Sequence, residues 1–381
     1  GNEGKDPAEN EKLKVGFIFL HDENSTYDNN FIKAAKAACE ALDVEYVQKV
    51  NVPEGAECQE AALDLADNGC DIVFADSFGH EPYMMEAAKE RPDVQFCHAT
   101  GTNAHLSDIP NFHNAFASIY EGRYLAGVAA GMKLVELYGD DEGKVSDENA
   151  KIGYVGAFPY AEVISGYTSF YLGAKSIVEN ATMEVRYTNS WYDETAEKTT
   201  ALALIDAGCK LISQHADSWG APTACEEKNI PNVSYNGSTE EKCPNTFIIA
   251  SRINWAPYFE YIIDCVQNDK AIDTDWTGTL ATGSVEITAL GGAAAKGTQD
   301  KLDEVKKGLQ DGTIKVFDCS TFTVEGKELT SFIADVDDAG DYKPETEVVE
   351  TANDITFINE SAKRSAPYFN IIIDGITAVT E

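Results

Sequence analysis

Two stretches of this chain repeat one another, "DLADNGCDIVFADSFG" at 64–79 and "ALIDAGCKLISQHADSWG" at 203–220. A matching apolar run stands upstream of each, "KVGFIFL" at 14–20 and "KIGYVGA" at 151–157. Lys14 pairs with Lys151, Cys70 with Cys209 and Phe78 with Trp219, at offsets of 137 to 141 residues. So long and steady an offset reads as duplication at domain scale, not a solenoid period. Doubly wound folds repeat strand–helix units in any case. The shared D-x-G-C and A-D-S-aromatic-G strings favour true copies.

Each copy alternates short Val/Ile-rich runs with helical patterns. The first half offers strands near 14–20, 44–50, 71–77, 94–100 and 111–118; the second near 151–157, 183–190, 210–217, 232–238 and 246–251. Between them lie "NNFIKAAKAACEAL" and "ETAEKTTALALIDAG", the latter capped by Asp193 and stopped by Gly208. This order argues for α/β architecture with parallel, doubly wound sheets. In 381 residues there is room for two such lobes. Beyond residue 250 come a helix entered through Pro257, a strand and loop, a charged helix ending at Gly312, an acidic loop over 335–354 and an apolar end.

Open parallel sheets bind ligands outside the carboxyl ends of their strands. Two facing lobes would line one cleft with loops beginning near His21, Ser77, Tyr160, Trp191 and Asp217. Tyr27, Phe78, Trp191 and Trp219 are the aromatic candidates there, with core packing as the alternative for each. Asp28, Glu162, Asp217 and Glu286 stand near strand ends. A carboxylate at a cleft mouth can accept hydrogen bonds from ligand hydroxyl or amino groups. His215 either faces the cleft or is a satisfied strand histidine.

Several classes are disfavoured. The formal net charge of −36 repels phosphate backbones and anionic headgroups, so no nucleic-acid or direct membrane-surface binding is expected. Nine single cysteines without a CxxC give no zinc or redox motif, and several, in apolar strands or on apolar helix faces, read as small core residues. No Walker loop, GxGxxG, GxSxG or HExxH occurs, so neither a cofactor, a metal nor an enzyme is expected. Small residues in "IYEGRYLAGVAAG" read as tight helix packing.

Four strings carry a family resemblance: "SFGHEPYMMEAAKERPDVQFCHATG", "NFHNAFASIYEGRYLAGVAAGMK", "IGYVGAFPYAEVISGYTSFYLGAKSI" and "TNSWYDETAEKTTALALIDAGCKLISQHADS". Over about residues 13 to 295 the chain resembles the basic membrane protein family. These are substrate-binding lipoproteins of ABC transporters that include purine nucleoside and adenine receptors. The resemblance implies a periplasmic-binding-protein type I fold, two lobes joined by hinge crossovers, with the ligand between them. It implies an extracytoplasmic monomer that delivers a purine base or nucleoside to an ABC permease by cleft closure. The membrane anchor it implies is a lipidated cysteine absent from this chain, with residues 1–12 as flexible tether. Lobe 1 is then expected over 13–118 plus 252–317, and lobe 2 over 119–251 plus 318–381, with hinges near 118, 251 and 318. Matching positions put Trp191 against the base from one side and Tyr27 or Phe78 from the other. Asp28, Ser77, Ser218 and Trp255 are further ligand-binding candidates, and Asp217, Asn236 and Glu286 offer polar contacts. The alternatives are another small ligand in the same fold, such as a sugar or flavin, and a nucleoside-cleaving enzyme.

Overall fold

The computed structural model describes residues 11–336 and 346–379; most of the expected tether, and part of the acidic stretch, lie outside the described residues. Elsewhere the acidic stretch forms short strands at 346–347 and 349–352 where a loop was expected. Lobe 1 contains β1 (Lys14–Ile18), α1 (Thr26–Ala41), β2 (Glu45–Lys49), α2 (Ala56–Asp67), β3 (Ile72–Ala75), α3 (Glu81–Glu90), β4 (Gln95–Ala99) and β5 (Phe112–Ala117). Lobe 2 opens with α4 (Ile119–Tyr138) and continues through β6 (Lys151–Gly156), α5 (Ala161–Lys175), β7 (Thr182–Tyr187), α6 (Glu194–Asp206), β8 (Leu211–His215), α7 (Gly220–Lys228), β9 (Asn232–Tyr235) and β10 (Phe247–Ile253). The chain then returns to lobe 1 for α8 (Ala256–Gln267) and β11 (Asp275–Gly278), and to lobe 2 for β12 (Val285–Ile287) and α9 (Thr298–Asp311).

The first sheet runs β11-β5-β4-β3-β1-β2 and is parallel throughout. The second runs β12-β10-β9-β8-β6-β7 and ends on the C-terminal strand Ile376–Val379. Only β12 is antiparallel in it. The alternation of β1 explains the layers. Phe17 and its neighbours pack towards α1 and α8 through Phe31 and Phe259, while Ile18 belongs to the separate cluster under α2 and α3.

The duplicated strings have a packing cause. Gly69 and Gly208 take φ of +92° and +97°, a region that favours glycine, and turn the chain after α2 and α6. Each following cysteine then tucks under a strand glycine. A Cβ on Gly16 would meet Cys70 Sγ at 3.0 Å, and one on Gly153 would meet Cys209 Sγ at 3.1 Å. All nine cysteines are buried thiols. The small residues of α4 serve α5: a Cβ on Gly127 would lie 2.0 Å from the Phe170 carbonyl oxygen.

The crossovers differ from expectation at one point. Lobe 1 was expected to extend to 317, but β12 pairs with β10 and α9 packs on α4, so the third crossover is the turn at 279–284. The antiparallel edge strand recaptures the chain as soon as β11 ends. The C-terminal region continues on lobe 2, where Ser165 donates to Glu360 at 2.6 Å and Ile376–Val379 pairs with β7. It also touches lobe 1, where the Ser365 amide donates to Asp275 at 3.1 Å.

Candidate ligand-binding cleft

Between the lobes lies a narrow slot. Its walls are strand-end residues. Lobe 1 supplies Leu20 after β1, Tyr27 from α1, Ser77 and Phe78 after β3, and Thr100 after β4. Lobe 2 supplies Glu162 from α5, Trp191 after β7, His215 and Asp217 at the end of β8, and Tyr235 closing β9. Thr100 holds φ at +71°, a strained setting for a β-branched residue.

The lobes touch around the slot. The Thr26 amide and hydroxyl each donate to the Asp217 carbonyl oxygen at 3.2 Å, so the start of α1 is tied to the β8 loop. His21 and Tyr192 rings stand 5.2 Å apart, and Phe78 and Tyr160 rings 5.3 Å apart. At the hinge side, Arg252 donates to Asn30 Oδ1 at 2.8 Å. These contacts describe a closed cleft.

Five of the ten sequence-derived candidates line this slot: Tyr27, Ser77, Phe78, Trp191 and Asp217. Tyr27 hydroxyl donates to the Asp76 carbonyl oxygen at 2.5 Å, which fixes its ring. Ser77 already spends its hydroxyl on Glu54 at 2.5 Å. Trp191 is half-buried, flanked by Phe158 at 5.2 Å and Tyr160 at 6.0 Å. Among the described residues the Asp217 carboxyl has no hydrogen-bond partner.

The other five lie elsewhere. Asp28 is buried behind the wall, against His21 and Asp76. Ser218 stays within the β8–α7 turn, its amide donating to Glu197 and its hydroxyl accepting from Gly220. Asn236 follows β9 at φ +65° and is bound to Ser251 through its backbone. Glu286 pairs with Arg252 at 2.6 Å on β12. Trp255 is 1% exposed and stacks on Phe31 at 4.5 Å in the lobe 1 core, because it opens α8 on the side facing α1. Trp219, the repeat partner of Phe78, heads α7 beneath Lys242 and does not line the slot. The sequence candidates left out Leu20, Thr100 and Tyr235. Each sits at a strand's carboxyl end, so applying that rule to every strand would have found them.

A family model for PnrA-like ABC transporter substrate-binding proteins matches residues 18–316. The chain belongs to this Bmp family. Members of it bind solutes outside the cytoplasm for an ABC transporter, and none of the helices among the described residues is long and apolar enough to cross a membrane. The chain is 35% identical over 254 residues to a purine-binding protein of Brucella abortus, covering 65% of this chain and 67% of the relative. It is 26% identical over 345 residues to a putative ABC transporter glucose-binding protein of Haloferax volcanii, covering 88% and 83%. To the nucleoside-binding protein BmpA of Lactococcus lactis it is 28% identical over 233 residues, covering 59% and 61%. Among solved structures, an Aeropyrum pernix solute-binding protein superposes with a TM-score of 0.66 at 17% identity, over 80% of this chain and 93% of that one. One from Conexibacter woesei gives 0.63 at 19%, over 80% and 98%. These are ABC solute-binding proteins, and the fold is the two-lobed type I arrangement expected above.

The cleft of this Bmp protein crowds acids together. Burial, then the neighbouring Asp28, pushes the Asp76 carboxyl well up. Burial alone would raise Asp28 as well, but hydrogen bonds with His21, Asp76 and Ser25 outweigh it and hold Asp28 down. Of the two, Asp76 is the one that keeps its proton. Asp217 is pushed well up by burial and by Asp28, Glu197 and Glu162, with Arg123 offsetting part of the rise. Burial takes Glu162 from its ordinary 4.5 to about 8. Protonated carboxyls donate as well as accept, so the slot offers both to a ligand edge.

The raised acids set a stability trend. Folded Glu162 keeps a proton that the unfolded chain has already released, so the stability linked to it falls as pH climbs from 4.5 towards 8. Buried histidines act in the other direction, at lower pH: His80 and His113 are lowered to about 4, so stability is lost as pH falls below 6.5. We expect the melting temperature of the ligand-free protein to decline above pH 6.5. Glu162→Gln should flatten that decline by up to about 2 kcal/mol. Calorimetric melting across the range checks this, and an unchanged slope in the variant would place Glu162 in contact with water.

Proposed function

We propose that this chain is an anchored, monomeric receptor that closes on a purine base or nucleoside and passes it to an ABC importer. The observation that carries the reading is the pairing of Trp191 from lobe 2 with Phe78 and Tyr27 from lobe 1 across a slot containing Asp217. Flat aromatic walls suit a flat heterocycle. The unpartnered Asp217 carboxyl suits a ring or exocyclic N–H, which would otherwise lose its water on closure at a cost. The purine-binding relative from Brucella abortus supports the same ligand class. The lobes bind and do not convert it: the slot's acids serve recognition, and the anchor is a lipid.

A sugar is the second reading, favoured by the extent of the match to the putative glucose-binding relative. Titration calorimetry with adenine, adenosine and glucose separates the two. We expect a purine to bind and glucose not to. Small-angle scattering should show compaction on purine addition, since a ligand touching both lobes favours the closed state. Binding of glucose alone would reverse the assignment, and release of free base from adenosine would make the protein an enzyme.

A further inference from the structure

Behind the slot sits a buried arginine. Arg123, in the first turns of α4, is 1% exposed. Its Nη1 donates to the Gln214 carbonyl oxygen at 2.8 Å, and its Nη2 lies 2.8 Å from His215 Nδ1. Its guanidinium centre sits 3.4 Å from the centroid of the Tyr235 ring. Gly166 of α5 leaves the space for this arrangement: a Cβ there would meet His215 Nδ1 at 2.7 Å.

A guanidinium only donates, and it keeps its charge throughout the accessible pH range. His215 Nδ1 must therefore accept, and the neutral ring must carry its single proton on Nε2. That nitrogen belongs to a residue lining the slot and stands 4.0 Å from Glu162 Oε1, too far for a hydrogen bond. We propose that Arg123 is a positioning residue which locks His215 as a fixed Nε2–H donor, so that the ligand must present an unprotonated ring nitrogen or carbonyl oxygen to it. This rests on the purine reading and sharpens it: a ring acceptor of the base faces His215 while an N–H faces Asp217. The groups around the imidazole agree. Arg123 from α4 opposes a second positive charge, while Glu162 from α5, Asp217 from the following loop and Tyr235 from β9 surround a ring that burial keeps neutral.

Nitrogen-15 NMR of the histidines in the wild-type protein tests the lock without any ligand. We expect His215 Nδ1 to stay unprotonated and Nε2 protonated between about pH 5 and pH 8. A proton on Nδ1, or titration within that range, overturns the inference. Adenine and its 1-, 3- and 7-deaza analogues test the readout by calorimetry. One deaza analogue should bind about tenfold more weakly than adenine, and His215→Leu should erase that difference. Equal affinities for all four in the wild type would overturn the donor role. Arg123→Met should free the ring to titrate, making adenine affinity pH-dependent; a pH-independent variant with a titrating ring would also overturn it. If adenine fails to bind while the NMR lock holds, the purine reading falls and the donor assignment stands.

Discussion

Trp255→Ala should destabilise lobe 1 by about 3–5 kcal/mol, the usual cost of emptying a core aromatic site, and leave the affinity of the folded fraction nearly unchanged. The ring is almost fully enclosed and stacks on Phe31, with Phe74, Phe116, Tyr258 and Phe259 around it at 6.3 to 6.5 Å between centroids. Alanine would leave a cavity that this rigid aromatic cage cannot collapse into, so both the transfer and the cavity costs apply. Denaturant unfolding reads the first quantity. If unfolding resolves into two steps, the lobe 1 transition is the one to follow. Calorimetry at a denaturant-free temperature well below the transition reads the second. Wild-type stability with lost binding would return Trp255 to the ligand site.

The contrast between Trp255 and Trp191 marks where sequence reasoning stopped. The α/β class, the two lobes and the cleft between strand ends were legible because they rest on periodicity and on a duplicated string whose glycine and cysteine have backbone and packing causes. Trp191 was legible because it follows a strand at its carboxyl end. Trp255 also follows a strand, β10, yet it begins the helix that crosses back into lobe 1 and turns inwards onto Phe31. Which way a strand-end residue faces depends on the element that comes next, and that is a tertiary fact. Glu286 misled for the same reason: it sits on the antiparallel edge strand, where Arg252 is opposite it in register. Arg123 and His215 stand 92 positions apart, and only the packing of α4 on α5 and β10 brings them together. The C-terminal strand beside β7 carried no signal beyond its apolar residues.

Trp191→Ala should weaken purine binding by roughly 1–3 kcal/mol with little loss of stability. The ring is half-buried, and its contacts with Phe158 and Tyr160 are edge-on or tilted, at 66° and 50°, so neither neighbour is stacked on its face. A face left free in the slot can stack with a base; truncation then removes the stack but opens no core cavity. The size of the effect also separates two ways of holding a base. If Trp191 and Phe78 clamp the ring together, Trp191→Ala and Phe78→Ala should be non-additive, because the base is no longer held flat once one wall is gone. If each merely borders the slot, the losses should add. Replacement by phenylalanine supplies the control, since a smaller ring preserves stacking and should recover much of the affinity. An alanine variant that binds adenine as tightly as the wild type would remove Trp191 from the site, and with it the observation on which the purine assignment depends.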